Sequence, residues 1–182
     1  MKRPSLSVLA VAVALCAAMP LRAQLIDRTE GFRFGLGVGA TMPMGDYGDL
    51  DKMGLNILGV FETPLASSPL YLRVDGLYSS TAHDGPDGST GILGGTASAL
   101  YHFSAPAAQA RPYALIGLGI YNVDFGTPGV DSETKIGFGL GGGVTFDLAG
   151  LHAFAEARYV SVKTNGSSLT FVPISVGLLF GY

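Results

Sequence analysis

Eight charged side chains interrupt stretches of sequence that otherwise alternate large apolar and small residues: Arg33, Glu62, Arg73, Asp75, Lys135, Asp147, Glu156 and Arg158. Four carry each sign, so if they share one interior they can neutralise one another as ion pairs. A set that exchanges partners could instead gate a very narrow path for ions. Arg33, Glu62, Arg73, Asp75, Asp147, Glu156 and Arg158 are therefore the candidate site, a charge cluster with a structural or gating role.

Other motifs carry less chemistry. G-F-G-L-G-G (137–142) and G-L-G-V-G-A (35–40) match the dinucleotide pattern, but no helix pattern follows either one. Their glycines simply continue a two-residue period. H-F-S (102–104) resembles the His-x-Ser of lipid A deacylase barrels, yet no Asn follows Ser104 and no acid occurs in the ten positions after it. His83, Asp84 and Asp87 fall in a Gly- and Asp-rich connection and read as a solvated loop. Asp84 and Asp87 join Asp46, Asp49, Asp51, Asp124, Asp131 and Glu133 in a set of acids between the alternating stretches. Their oxygens suit Mg²⁺ or Ca²⁺, although D-Y-G-D-L-D lacks EF-hand spacing. No catalytic residue, cofactor or dedicated metal site is expected.

The elements that must position the charges begin after an export signal. Lys2 and Arg3 precede an apolar run to Pro20, and L-R-A before Gln24 offers a cleavage site, so residues 1–23 are expected to be a signal peptide. Residues 24–31 follow as a short segment. The single cysteine, Cys16, lies within the signal, which leaves no thiol for a disulfide in the mature chain. Of 11 basic residues, Lys2, Arg3 and Arg22 leave with the signal, so 8 face 14 acids and the formal charge moves from -3 to -6. Nucleic acid is disfavoured as a partner on that balance.

From residue 32 the hydrophobic period is two, and it recurs over 32–41, 55–63, 70–80, 92–103, 112–122, 135–148, 151–162 and 169–182. Most of these stretches have the roughly 9–11 residues that a tilted strand needs to cross a bilayer. Longer connections rich in Gly, Asp and Ser tend to alternate with shorter ones. The expected fold is all-β: an eight-stranded, antiparallel, up-and-down transmembrane barrel over residues 32–182, with both termini on the periplasmic side and the longer loops outside.

The sixth stretch decides which face is outward. Ile136, Phe138, Leu140, Val144, Phe146 and Leu148 share one face, while Gly137, Gly139, Gly141 and Gly143 share the other. Glycine suits a narrow lumen better than a solvent-facing wall. The charges agree, because an arginine such as Arg158 facing lipid near the midplane would cost roughly 2–4 kcal/mol. Phe32, Phe61, Phe103, Phe146, Phe180 and Tyr182 are expected near the periplasmic interface, with Tyr78, Phe138 and Tyr159 nearer the outer one.

The ordered set G-D-Y after the first strand, L-R-V-D in the third, R-P-Y-A-L-I-G-L-G in the fifth, F-A-E-A-R-Y in the seventh and the closing V-P-I-S-V-G-L-L-F-G-Y resembles the small outer-membrane β-barrels, the OmpA transmembrane domain and OmpX type. That resemblance implies the outer membrane of a Gram-negative-type bacterium. It also implies a monomer contacting outer-membrane lipid and lipopolysaccharide, which meets periplasmic chaperones and the assembly machinery during biogenesis. The terminal strand, with Ile174, Val176, Leu178, Phe180 and Tyr182, resembles the assembly signal of such proteins. Function follows less closely, since this fold hosts many roles. A non-enzymatic structural or surface-interaction role through acidic loops is expected first, a narrow channel for ions or small solutes second, and a lipid-modifying barrel enzyme third.

Overall fold

In the computed structural model, eight antiparallel strands close into a barrel in chain order. They are β1 (Arg33–Met44), β2 (Gly54–Pro64), β3 (Leu70–Ala82), β4 (Ser89–His102), β5 (Ala110–Asp124), β6 (Glu133–Leu148), β7 (Leu151–Lys163) and β8 (Ser168–Gly181). The structure describes residues 31–65, 69–85, 88–103, 110–126, 129, 131–148, 151–163 and 168–181. Residues 1–30, Asp87, Ser104 and Tyr182 lie outside the described residues.

Every expected strand is present, and several run further than their alternation indicates. β4 starts at Ser89 rather than at 92, β5 at Ala110 rather than at 112, and β6 at Glu133 rather than at 135. These extensions lack large apolar side chains but keep their backbone partners, as in Ala82↔Ser89 and Val123↔Glu133. Closure comes from β8 against β1, paired from Arg33↔Gly181 to Met44↔Thr170, so no strand edge is left open along that seam.

The apolar stripes point outward. Ile136 is 69% exposed while its neighbours on the β6 lumen face, Gly137 and Gly139, are buried. Phe34, Leu36 and Val38 on β1, Ile116, Leu118 and Ile120 on β5, and Ile174, Val176, Leu178 and Phe180 on β8 are likewise exposed. A contiguous apolar girdle of this kind suits a bilayer and would be an aggregation hazard in water.

The lumen is filled in layers. Inward side chains along β3 run Tyr71, Arg73, Asp75, Leu77, Ser79 and Thr81, and all are buried. Along β7 they run His152, Phe154, Glu156, Arg158, Val160 and Val162. Charge therefore occupies the same middle levels on both strands. Tyr71, Leu100, Tyr113 and Leu115 form an apolar cluster at the end where β2 meets β3 and β4 meets β5, called the turn end below. At the opposite, loop end, Ile92, Val123, Val162, Leu169 and Phe171 pack together.

The β1–β2 connection closes the loop end. A 3-10 turn over Gly45–Tyr47 drops Tyr47 into the core, where its hydroxyl lies 2.6 Å from Thr81 Oγ1. Asp51 bridges to His83, the Lys52 N–H donates to the Ala82 carbonyl at 2.8 Å, and the Asp84 N–H donates to the Leu50 carbonyl at 2.8 Å.

Candidate functional site

Five of the seven candidate residues meet in one buried network. Arg73 is fully buried; its Nε donates to Glu62 Oε1 at 2.8 Å, its Nη2 donates to the same oxygen, and its Nη1 donates to Glu156 Oε2. Arg158 donates through Nη1 to both oxygens of Asp75 at 2.8 Å and through Nε to Glu156 Oε1. Glu156 is thus shared by the two guanidinium groups, and it also accepts the Tyr113 hydroxyl at 2.7 Å.

The strand pattern explains the geometry. Glu62 and Arg73 are direct cross-strand partners on β2 and β3, Arg73 and Asp75 are two apart on β3, and Glu156 and Arg158 are two apart on β7. A two-residue step keeps each pair on the lumen face. In a closed ring of eight, β3 and β7 stand opposite each other. The Arg73–Glu156 and Arg158–Asp75 pairs are therefore struts across the lumen, and side chains as long as Arg and Glu are what can reach that far.

Small residues make the room. A Cβ on Gly143 would lie 2.6 Å from the Tyr113 hydroxyl oxygen, and one on Gly177 would lie 2.5 Å from the Phe154 ring. Those two rings flank the Arg73 guanidinium, at 5.3 Å for Tyr113 and 6.0 Å for Phe154, within cation–π range.

The other two candidates stand nearer the turn end. Arg33 lies over the Tyr71 ring at 4.9 Å, and that ring packs on His102 at 4.6 Å. His102 in turn packs on Tyr113 at 5.2 Å, so a column of tilted rings fills this part of the lumen. Asp147 is half-exposed; it pairs with His152 Nδ1 at 2.5 Å and approaches Arg111 at 3.7 Å. Lys135 pairs with Glu133 at 3.3 Å at the loop end. Of the terminal strand, Ile174, Val176, Leu178 and Phe180 face outward, and Phe180 stacks on Phe34 at 5.7 Å.

Sequence reasoning missed two clusters. Asp51 is not a solvated loop acid: it is buried and accepts the Thr81 hydroxyl at 2.5 Å. His83 Nε2 lies 3.3 Å from Thr90 Oγ1 and 3.7 Å from Asp51. One nitrogen meeting both groups cannot relay a proton between them, which needs an acid on one nitrogen and a hydroxyl on the other. The Asp147–His152 pair uses Nδ1 of the imidazole, and among the described residues no hydroxyl is bonded to its Nε2. Burial pushes the Tyr47 phenol up to about 12, so it stays a neutral hydrogen-bonding group at ordinary pH. Tyr113 is buried on the lumen face of β5, and nothing local in the sequence signals that its hydroxyl reaches β7.

The space left among these groups is small. A cavity of ≈ 10 Å³ is lined by Asp75, Thr96, Tyr121, Glu156, Arg158 and Ser175, with Leu58, Leu77, Val160 and Pro173 as its apolar wall. Among the described residues no group of three His, Cys, Asp or Glu is placed to hold a metal ion.

Comparison with known proteins follows the same lines. The family model described as the outer membrane protein beta-barrel domain matches residues 8–180. The fold is similar to that of Neisserial surface protein A (TM-score 0.64, 20% identity, covering 83% of this chain and 97% of that one). It is also similar to a major outer membrane protein from Thermus thermophilus (TM-score 0.57, 13% identity, 84% and 100% covered). A third similar structure is Ail, the attachment invasion locus protein of Yersinia pestis (TM-score 0.56, 17% identity, 84% and 100% covered), which has also been solved in complex with the heparin analogue sucrose octasulfate. No curated protein matches the chain.

Proposed function

Because this chain belongs to the outer membrane protein beta-barrel domain family, we propose that it is a non-enzymatic, monomeric barrel of the outer membrane that works through its loop end, as a structural or surface-interaction protein, with a closed lumen. The observation that carries this reading is the network of Glu62, Arg73, Asp75, Glu156 and Arg158. It spans the lumen from β3 to β7, and the cavity lined by Asp75, Glu156 and Arg158 measures ≈ 10 Å³. Planar-bilayer recording of the purified protein tests it.

Residues 1–23 act as a cleaved signal and 24–31 as a periplasmic lead into β1. Both termini face the periplasm, and the loop end faces outward. Ile174, Val176, Leu178, Phe180 and Tyr182 supply the contact that the assembly machinery reads. The loop end then presents Asp46, Asp49, Asp84, Asp124 and Asp131, all exposed, against Lys52 and Lys163. A polyanion such as the sucrose octasulfate bound by Ail would be repelled there, whereas divalent cations could bridge these acids to lipopolysaccharide phosphates. Replacing Asp46, Asp49 and Asp84 with Asn is expected to abolish any Mg²⁺-dependent rise in the unfolding temperature measured in lipopolysaccharide-containing micelles. A rise that survives the substitutions would remove the bridging role.

A narrow channel is the second reading, favoured by one detail. Glu156 serves both Arg73 and Arg158, so either arginine could let go and keep the carboxylate paired.

A further inference from the structure

Three independent features coincide at one point of the lumen wall. The first is Arg158 Nη2, which has no hydrogen-bond partner among the described protein atoms although the residue is 6% exposed. A buried guanidinium proton left unpaired is costly, and native structures rarely keep one. The second is the cavity that Arg158 lines, polar on one side through Asp75, Thr96, Tyr121, Glu156 and Ser175. The third is a break in the β7–β8 ladder. Pairing runs to Ala157↔Ile174 and resumes at Val160↔Phe171, so Arg158, Tyr159, Val172 and Pro173 drop out of it. Pro173 has no N–H to give, and it lines the same cavity.

We propose that this cavity is a binding site for one water molecule, held as a permanent part of the plug. At ≈ 10 Å³ it has the room to admit a water and is too small for a larger ligand. The water accepts from Arg158 Nη2. It donates to the polar wall, where Thr96 Oγ1 and the Tyr121 hydroxyl already lie 3.0 Å apart and Asp75 offers carboxylate oxygens. A water with partners of this kind is retained in protein interiors. It also puts a polar partner beside the interrupted β7–β8 seam, where the bilayer outside supplies none. A metal cation fits poorly, because the unpaired group is itself a donor with positive charge.

The proposal rests on the closed lumen, and one experiment separates the two. A high-resolution crystal structure is expected to show one ordered water within about 3 Å of Arg158 Nη2. Val160→Ile, which adds a methyl group to the cavity wall, is expected to lose that water while the ion pairs stay in place. An empty cavity in the wild type, or an ion refined there instead, would overturn the hydration site and leave the plug intact. A file of waters running from the cavity to either mouth would overturn both.

Discussion

At the scale of single residues, the network behaves as a shared load. Glu156 accepts from Arg73, Arg158 and Tyr113, so removing either arginine leaves buried carboxylate charge less well compensated. Arg73→Met is expected to destabilise the folded barrel by roughly 3–5 kcal/mol, because Glu62 and Glu156 are left buried together. Equilibrium unfolding in urea measures this. Adding Glu62→Gln should recover part of the loss, since the two residues are in direct contact. Tyr47 gives a prediction with a definite pH window. Its hydroxyl is un-ionised in the folded state up to about 12 against an ordinary value of 10.0. The stability it contributes is fully present below pH 10 and lost as pH rises from 10 to 12. Amide exchange at Lys52 and Asp84, which tie the β1–β2 connection to the β3–β4 hairpin, should accelerate over that range beyond the intrinsic rate. Tyr47→Phe should lack the extra acceleration.

At the scale of elements, β8 is the stave that closes the barrel against β1. It pairs with β1 over twelve residues of that strand, and Phe180 stacks on Phe34 at the turn end. Deleting Phe180 to Tyr182 is expected to impair insertion into the outer membrane more than it affects the unfolding midpoint of protein refolded in detergent. Equal insertion of the truncated chain, followed by cell fractionation and the heat-dependent gel shift, would refute this. The strands were legible in the sequence because a two-residue period with glycine opposite large apolar side chains has few other solutions. Strand ends were less so: Ser89, Thr90, Ala110 and Glu133 pair through backbone, which leaves no side-chain signature. Inward-facing charge was legible for Arg73 and Arg158, since lipid rejects arginine. Which charges would meet was not, because Arg33 and Asp147 obey the same face rule yet stack on Tyr71 and pair with His152 respectively. Asp51 resembled its acidic loop neighbours until the 3-10 turn folded it inward.

At the scale of the whole molecule, a barrel of eight strands has an interior that side chains can fill, and here they do. Apolar packing lies on both sides of the charged layer, a column of Arg33 and the tilted rings of Tyr71, His102 and Tyr113 occupies the turn end, and Tyr47 closes the loop end. On the proposed reading, the surface outside the membrane is the working part. The closed lumen is tested most directly by planar-bilayer recording of purified wild-type protein. The predicted result is no reproducible unitary conductance above that of bare lipid, whereas regular unitary steps from the wild-type protein would contradict a plugged interior and favour the channel reading.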